Sequence, residues 1–244
     1  MKQSQRLKNI VTEPNAKHLF GKVVPASKVL VLSPHCDDEA LGFAGNIIKY
    51  LKAKTNVKVI FFSNDKEKSR VRETREAWNQ YDNMSLEFLG FPDSFIYKYE
   101  ETAVERIHQE IEAFQPEIVA TPWYFDKHID HVECNIILCR VIEKLLNVGN
   151  ISVTNIISYE VNFPLYINYF VNISDVFKEK VNVLECYKGQ RPEKLIASIE
   201  ALNRFRAKQV SLRNVKYAEA LYICSPKEYL ELLKLHINAL FRSI

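Results

Sequence analysis

The stretch KVLVLSPHCDDE, from Lys28 to Glu39, decides the fold that this sequence predicts. Its first half is a short apolar run rich in β-branched residues, which is typical of a strand buried on both faces. Its second half places a histidine and three consecutive acids directly after that run. Adjacent carboxylates repel one another, so they indicate a positively charged partner, such as a metal dication, near the end of the strand.

Strand-like and helix-like segments alternate through the first 150 residues. Three more apolar, strand-like segments follow the first one, at 57–63, 85–90 and 116–122. Segments with helical spacing lie between and after them, at about 39–53, 66–81, 101–114 and 131–146. This alternation favours a Rossmann-like α/β fold with a mostly parallel sheet and helices on both faces.

The C-terminal part is less regular. Its candidate strands, of which the first two would form an antiparallel addition to the sheet, are 155–161, 169–174 and 217–224. Its helical patterns cover 191–212 and 226–241. We therefore expect a single domain over residues 28–244, preceded by an N-terminal extension over residues 1–27.

Composition excludes several classes of protein. The chain of 244 residues is 47% apolar, which is enough for a sizeable core, and its net charge of +3 argues against a nucleic-acid binder or a membrane-surface protein. No stretch approaches the roughly 20 apolar residues of a membrane span, and the N-terminus lacks the apolar region of a signal peptide. Five cysteines without a CxxC pair indicate neither a disulfide framework nor a cysteine zinc site. We expect a soluble, cytoplasmic protein.

A second polar cluster, WYFDKHIDH, follows the strand-like segment 116–122 and contains Asp126, His128, Asp130 and His131. Ligands of open α/β sheets gather beyond the carboxyl ends of the strands. If both strands are parallel members of one sheet, the two polar clusters face the same crevice.

Together the clusters predict a metal site. His35 and Asp38 can both reach one point across a strand-to-helix turn, and His131 can supply a third ligand. Two imidazoles and one carboxylate with an open position form a catalytic zinc arrangement, although the same set also suits ferrous iron. Asp37 lies next to a ligand and is free to hold a metal-bound water. Taken separately, each cluster is equally typical of a helix start, so the prediction requires that the two meet.

The paired motifs carry a resemblance to a known family. PHCDDE resembles the P-H-P-D-D-E motif of the PIG-L / LmbE-like zinc-dependent de-N-acetylases, and HIDH resembles their downstream H-x-D-H. FLGFPD and YAEALYI add weaker similarities. The resemblance implies a Rossmann-like sheet and metal-dependent hydrolysis of an N-acetyl group, typically on a glucosamine unit.

The resemblance also implies roles for individual residues. It implies three metal ligands, which are His35, Asp38 and His131. It implies that Asp37 is the general base and that His128 stabilises the tetrahedral intermediate, and we expect Asp130 to orient His128. In the Arg/Glu-rich segment VRETREAW, the candidates to face the substrate are Arg72 and Arg75.

The sequence departs from the family pattern at two places, which are Cys36 and the segment VRETREAW, where two arginines fit the family's position loosely. Cys36 stands where the family has proline, which would place a thiol beside the metal. A ferrous oxygenase, a two-metal phosphoesterase and a non-catalytic sugar-binding relative are the alternatives. The expected partner of the deacetylase is a small N-acetylated sugar or glycoconjugate.

Overall fold

The computed structural model of the protein describes residues 20–64, 69–149, 151–210 and 213–242, with side chains up to residue 235. In these ranges eight strands form one sheet. They are Phe20–Gly21 (β1), Lys28–Ser33 (β2), Asn56–Ser63 (β3), Met84–Phe91 (β4), Ile118–Pro122 (β5), Asn155–Tyr159 (β6), Tyr169–Asn172 (β7) and Ala218–Cys224 (β8).

The strands lie in the order β1-β7-β8-β6-β5-β2-β3-β4. Neighbouring strands are parallel except at β8, which runs antiparallel to both β6 and β7. Because β2 pairs in parallel with both β3 and β5, the segments after β2 and β5 leave the sheet side by side at the same edge. The topology therefore confirms that the two polar clusters share a crevice.

The helices of the described ranges cover both faces of the sheet. They are Asp38–Gly42 (α1), Ala44–Lys52 (α2), Ser69–Trp78 (α3), Glu100–Phe114 (α4), Ile129–Val148 (α5), Phe177–Glu185 (α6), Pro192–Val210 (α7) and Pro226–Arg242 (α8). Residues of α1, α2, α3 and α6 pack with Val29 and Val31 of β2. Residues of α4, α5 and α8 pack with Leu30 and Leu32 on the opposite face. Strand β2 is thus buried on both faces, as its apolar run predicts, and the predicted α/β fold is confirmed.

Two local predictions differ from the structure. The segments 155–161 and 169–174 do not pair with each other, because β8 lies between β6 and β7 and pairs with both. Adjacency along the chain favoured a hairpin, but five of the seven residues of β8 are buried, which suits a position inside the sheet. In addition, β1 pairs with β7 although it lies within the predicted N-terminal extension. The first nineteen residues and the predicted helical residues 66–68 lie outside the described ranges.

The predicted helix over 39–53 is divided in two at Phe43, whose φ of −137° interrupts the helical backbone. Gly42, just before the break, packs directly on the chain after β6. A Cβ atom at Gly42 would lie 2.2 Å from the Glu160 carbonyl oxygen and 2.4 Å from the Tyr159 ring. The close approach therefore requires glycine at position 42. The break at Phe43 leaves α1 as a separate short helix after β2.

A buried ion pair contacts the backbone on both sides of the break at Phe43. Lys180 of α6 lies 2.7 Å from Glu219 of β8, and both side chains are almost fully buried. The Lys180 ammonium donates to the Leu41 carbonyl at 2.8 Å. The Glu219 carboxylate accepts the backbone N–H groups of Gly45 and Asn46 at the start of α2. The pair thus satisfies unpaired backbone groups of both α1 and α2.

We expect Lys180→Met to lower the free energy of unfolding by about 3–5 kcal/mol, because it leaves the Glu219 carboxylate buried without its cation. Lys52→Met is the matched control, since Lys52 of the neighbouring α2 pairs with Glu179 at the surface. Breaking that exposed pair should cost less than about 1 kcal/mol. Urea unfolding followed by circular dichroism measures both changes, and equal losses in the two variants would contradict the prediction.

Within the described residues, none of the helices combines the length and the hydropathy that crossing a lipid bilayer requires.

Candidate metal centre

The turn after β2 presents its polar side chains through a set of short hydrogen bonds. The His35 backbone N–H donates to the Asp38 carboxylate at 2.9 Å, and the Ser33 hydroxyl donates to the His35 carbonyl at 2.7 Å. The Asp37 N–H donates to the same carbonyl at 3.1 Å. The chain then enters α1 at Asp38. These bonds fix the turn without the proline that Cys36 replaces.

Cys36 itself faces the protein interior. Its side chain is fully buried in the core on the α1 face of the sheet, and Sγ lies 3.8 Å from the Ser63 carbonyl oxygen. Burial raises the pKa of the thiol well above its ordinary value. The thiol is therefore a packing group, and all five cysteines of the chain are free.

The loop after β5 brings the second cluster to the same place. His128 is the N-cap of α5, and its Nδ1 accepts the Asp130 backbone N–H at 3.2 Å. A helix N-cap leaves its side chain beside the first turn, which here contains Asp130 and His131. His131 is fully buried, Asp130 is fully buried, and His128 is half-buried.

Three predicted ligand atoms from the two clusters form a compact triangle. Asp38 Oδ2 lies 3.0 Å from His35 Nδ1 and 3.2 Å from His131 Nε2. The two ring nitrogens lie 3.3 Å from each other. Separations of this size match those between ligands of one zinc ion with bonds of about 2.0–2.1 Å. Two imidazole nitrogens and one carboxylate oxygen are also a donor set that zinc favours, so His35, Asp38 and His131 fit a divalent metal.

A carboxylate lies behind each of the two histidines. Asp130 Oδ2 is 3.2 Å from His35 Nε2, and Asp126 Oδ2 is 3.2 Å from His131 Nδ1. The second contact is too oblique for a regular hydrogen bond. Carboxylates in these positions fix the tautomer and orientation of histidines that bind metals.

The contact of Asp130 differs from the one we predicted. Its carboxylate reaches His35, and only its backbone N–H meets the His128 ring. The carboxylate also accepts the N–H groups of Ser94 and Ile96, from the segment after β4. Asp130 therefore joins three segments around His35. Spacing within HIDH places Asp130 beside His128 but carries no information about a residue ninety-five positions earlier.

Two further combinations of side chains offer ligand atoms within 4.8 Å of one another. One is His35, His128 and His131, and the other is His35, Asp93 and Asp130. Both share His35 with the triangle. In the second, Asp93 Oδ1 lies 3.5 Å from the same Nε2 that Asp130 contacts, so this group extends the first site rather than forming an independent one.

The charges in the crevice shift several pKa values. Burial opposes a charge on His35, but hydrogen bonds with Asp130 and Asp38 outweigh it and raise its pKa to about 11. Burial likewise opposes a charge on His131, and Asp38 and Asp126 raise its pKa to about 9. Burial raises the pKa of Asp38, but His131 and His35 outweigh it and hold that pKa well below its ordinary value. A cation is thus strongly favoured where these groups meet.

Asp37 has the opposite shift. Burial, followed by the negative charges of Asp38 and Glu39, raises its pKa to about 7. The positive charges of His35 and Arg70 oppose this rise. Asp37 is therefore a carboxyl group that changes protonation state near neutral pH.

Arg70 was not among the arginines that the sequence indicated. It is half-buried in the first turn of α3, and its positive charge lowers the pKa of Asp37. Arg72 and Arg75 are exposed, and the Arg75 guanidinium lies 4.9 Å from the centre of the Phe88 ring on β4. Arg70, two residues before Arg72, is thus an arginine whose charge acts on the candidate base, and the resemblance did not indicate it.

Glu39 occupies a supporting position. Its fully buried carboxylate accepts hydrogen bonds from the Trp78 indole at 3.0 Å and the Tyr187 hydroxyl at 2.5 Å. Burial raises its pKa to about 7. These bonds tie α1 to α3 and to the segment after α6, which supports the turn that carries Asp37 and Asp38.

Solved structures share this fold. N,N'-diacetylchitobiose deacetylase from Pyrococcus horikoshii, in complex with an inhibitor, matches with a TM-score of 0.71 and 19% identity over 92% of this chain and 94% of its own. The 4-carboxy-2-hydroxymuconate hydratase GalB from Pseudomonas putida matches with a TM-score of 0.72 and 19% identity over 81% and 95%. A zinc-inhibited form of a teicoplanin deacetylase matches with a TM-score of 0.64 and 14% identity over 81% and 98%.

These TM-scores establish that the fold is shared, and the three proteins show that this fold carries a hydratase as well as deacetylases. The match to a family model is more specific. It covers residues 30–142, which include most of β2, the turn with His35 and Asp38, the loop with His128 and most of the helix with His131. Residues 30–142 thus match the model of the PIG-L family, whose description is GlcNAc-PI de-N-acetylase.

Proposed function

We propose that this protein is a zinc-dependent hydrolase that removes an N-acetyl group from an amino-sugar substrate. The observation that carries the proposal is the triangle of His35 Nδ1, Asp38 Oδ2 and His131 Nε2, with sides of 3.0–3.3 Å. Asp37, a carboxyl group with a pKa of about 7, follows the first of these ligands by two residues. The match of residues 30–142 to the PIG-L family model supports the reaction class.

A zinc ion held by the triangle would supply a Lewis acid and lower the pKa of a bound water towards about 7. The Asp37 carboxylate takes a proton from the attacking water as the new C–O bond forms at the acetamide carbonyl. The C–N bond then breaks, and the Asp37 carboxyl returns that proton to the leaving nitrogen. The products are acetate and a free amine.

His128 stabilises the negative oxygen of the tetrahedral intermediate in this proposal. Its pKa is lowered, first by burial and then by His35 and His131, so the ring is neutral at pH 7. Its Nδ1 accepts the Asp130 N–H, which leaves the proton of the neutral ring on Nε2. A neutral imidazole that donates from Nε2 can bind a developing oxyanion without competing for the metal.

The substrate lies at the carboxyl edge of the sheet in this proposal. Trp123 and Tyr124 are buried in the core, whereas Phe125 is 43% exposed beside Asp126. Arg70 is the arginine whose charge lowers the pKa of Asp37, after that of His35, and it is the better candidate among the α3 arginines for binding a substrate hydroxyl or anionic group. Five free cysteines support a reducing compartment such as the cytoplasm.

Acetate release from a panel of N-acetylated sugars, with and without a chelator, tests the proposed function. We expect release from at least one sugar, loss of release with the chelator, and recovery with one equivalent of zinc. Two metal ions per chain would favour the phosphoesterase, and oxygen consumption with ferrous iron would favour the oxygenase. Absence of both metal and hydrolysis would favour the sugar-binding relative.

Zinc binding to the metal-free protein should release protons. The pKa values of His35 and His131 are raised to about 11 and about 9, so at pH 7 the site holds at least one proton that must leave before both rings bind metal. The apparent zinc affinity should therefore rise with pH and level off once the pH exceeds these values. Calorimetry in two buffers of different ionisation enthalpy measures the proton count. An affinity independent of pH would contradict the prediction.

A further inference from the structure

Another buried ion pair joins α7 to the loop that follows β6. Arg206 of α7 and Glu160, the first residue after β6, are only 6% and 5% exposed. The Arg206 guanidinium donates to both oxygens of the Glu160 carboxylate, through Nε at 3.0 Å and through Nη2. Two parallel bonds of this kind fix the direction of a carboxylate as well as its position. Arg206 lies outside residues 30–142 and outside both polar clusters.

The Glu160 carboxylate also closes the loop 160–165 on itself. It accepts the Leu165 backbone N–H at 3.1 Å. The Glu160 carbonyl oxygen packs closely on Gly42 of α1, so the start of the loop is held from that side too. Both ends of the loop are therefore fixed at one residue, and Arg206 sets the direction of its carboxylate.

The middle of this loop contacts a carboxylate of the candidate metal centre. The Asn162 backbone N–H donates to Asp126 Oδ2 at 3.1 Å, and the same oxygen lies 3.2 Å from His131 Nδ1. Asp126 Oδ1 accepts the His128 N–H at 3.1 Å, so one N–H group from each loop holds the carboxylate. Because the contact with His131 is already oblique, a small shift of the Asn162 N–H would move Oδ2 away from the ring.

We propose that Arg206 is a positioning residue of the metal centre. It acts through Glu160 and the loop 160–165, which hold the Asp126 carboxylate behind His131. A carboxylate in that place sets the tautomer and the direction of a ring that binds metal. The proposal rests on the proposed function for the identity of His131 as a ligand, but not for hydrolysis.

The alternative is that Arg206 only stabilises the fold. Removal of one partner of a buried ion pair leaves an uncompensated charge, so Arg206→Met lowers the free energy of unfolding under either explanation. Stability alone therefore does not distinguish them, and the measurement has to follow the metal centre itself.

Zinc affinity, measured by competition with a chelator, is the first readout. Loss of an outer carboxylate costs about 10–100-fold in metal affinity, so we expect Arg206→Met, which acts through Asp126, to cost about 3–10-fold. Arg206→Lys keeps a charge beside Glu160 but cannot contact both oxygens, and it serves in the same test should Arg206→Met not fold. Asn203→Ala is the control for stability, because Asn203 is buried on the same helix and donates to the Ala218 carbonyl at 3.0 Å. It should leave the zinc affinity unchanged.

A further variant removes only the contact in the middle of the loop. Asn162→Pro deletes the N–H that Asp126 accepts and leaves the Arg206–Glu160 pair in place. Asn162→Ala is its matched control, because Asn162 is exposed and alanine keeps the backbone N–H. We expect Asn162→Pro to weaken zinc binding as Arg206→Met does, and Asn162→Ala to bind zinc as the parent does.

A double-mutant cycle with Asp126→Ala separates the two explanations. If Arg206 acts through Asp126, then Arg206→Met and Asn162→Pro should each change the zinc affinity by less than about twofold once position 126 is alanine. Equal losses with and without the Asp126 carboxylate would overturn the proposal. Parent-like affinity in Arg206→Met, or an equal loss in Asn203→Ala, would overturn it as well.

A readout without metal distinguishes failure of this proposal from failure of the proposed function. The nitrogen chemical shifts of the His131 ring in the metal-free protein, measured by NMR at fixed pH, report the position of the Asp126 carboxylate. We expect Arg206→Met and Asn162→Pro to move these shifts in the same direction and Asn162→Ala to leave them unchanged. Unchanged shifts in the first two variants would overturn the proposal. Absence of zinc binding and acetate release in the parent, with the shift changes intact, would refute the deacetylase and leave the positioning of His131 standing.

Discussion

Asp37→Asn should remove nearly all hydrolysis while the protein keeps its metal. Asparagine has almost the same shape as aspartate but cannot take a proton from water, and a positioned general base contributes about 10²–10⁴-fold to a rate. We therefore expect kcat to fall by at least about 10² with little change in KM. Acetate release under saturating substrate measures kcat, and elemental analysis measures the zinc content of the same sample.

The control for this prediction is Asp82→Asn, because Asp82 is exposed between α3 and β4 and is not part of the crevice. That variant should retain both rate and zinc. The Asp37→Asn protein should also unfold at a temperature no lower than the parent, because Asp37 carries a raised pKa and its charge is unfavourable in the fold. A variant that hydrolyses at the parent rate would remove Asp37 from the role of base.

The sequence contained enough information to predict the layers of the fold and the convergence of the two polar clusters. An apolar run of six residues followed by HCDD predicts a buried strand that ends in polar groups, and β2 has those bounds, Lys28–Ser33. Parallel strands place their carboxyl ends at one edge. His35, Asp38 and His131 therefore had to meet once β2 and β5 became neighbours in one sheet.

Contacts that cross between distant segments could not be predicted in this way. Asp130 lies beside His128 along the chain but contacts His35 in space, because α5 begins at Ile129 and turns its first carboxylate towards the end of β2. The resemblance indicated an arginine in VRETREAW without fixing its register, so Arg72 and Arg75 were both candidates. In the structure the pKa of Asp37 is lowered by the charge of Arg70, which precedes that segment by one residue.

The position of β8 between β6 and β7 could not be predicted either, because it also depends on contacts between segments that are distant along the chain. The apolar segments 155–161 and 169–174 are separated by a short loop, and local sequence favours a hairpin between them. The strand that pairs with both lies some fifty residues further along the chain, and the α6 and α7 helices intervene. Burial favours this strand order, because β8, with five of its seven residues buried, lies in the interior of the sheet. A short stretch of sequence does not show which strand will be buried there.

His131→Gln should lose zinc far more completely than a variant that changes only the partner of His131. Loss of an outer carboxylate typically costs about 10–100-fold in metal affinity, so Asp126→Asn should weaken zinc binding by that amount. His131→Gln removes one corner of the triangle itself and should weaken it by more than 100-fold, with no hydrolysis at stoichiometric zinc. His108→Gln, which changes a histidine paired with Glu112 on α4, should change neither property.

Competition with a chelator of known zinc affinity measures the three variants on one scale. Circular dichroism of the metal-free proteins checks that each is folded, because His131 is fully buried and lies 3.2 Å from both Asp38 and Asp126. We expect the zinc affinity to be lowest in His131→Gln, intermediate in Asp126→Asn and equal to the parent in His108→Gln. This order would distinguish a metal ligand from the carboxylate that orients it. If His131→Gln bound zinc as tightly as the parent, the site would have to be built from His35 and other groups, and the triangle would not be the metal centre.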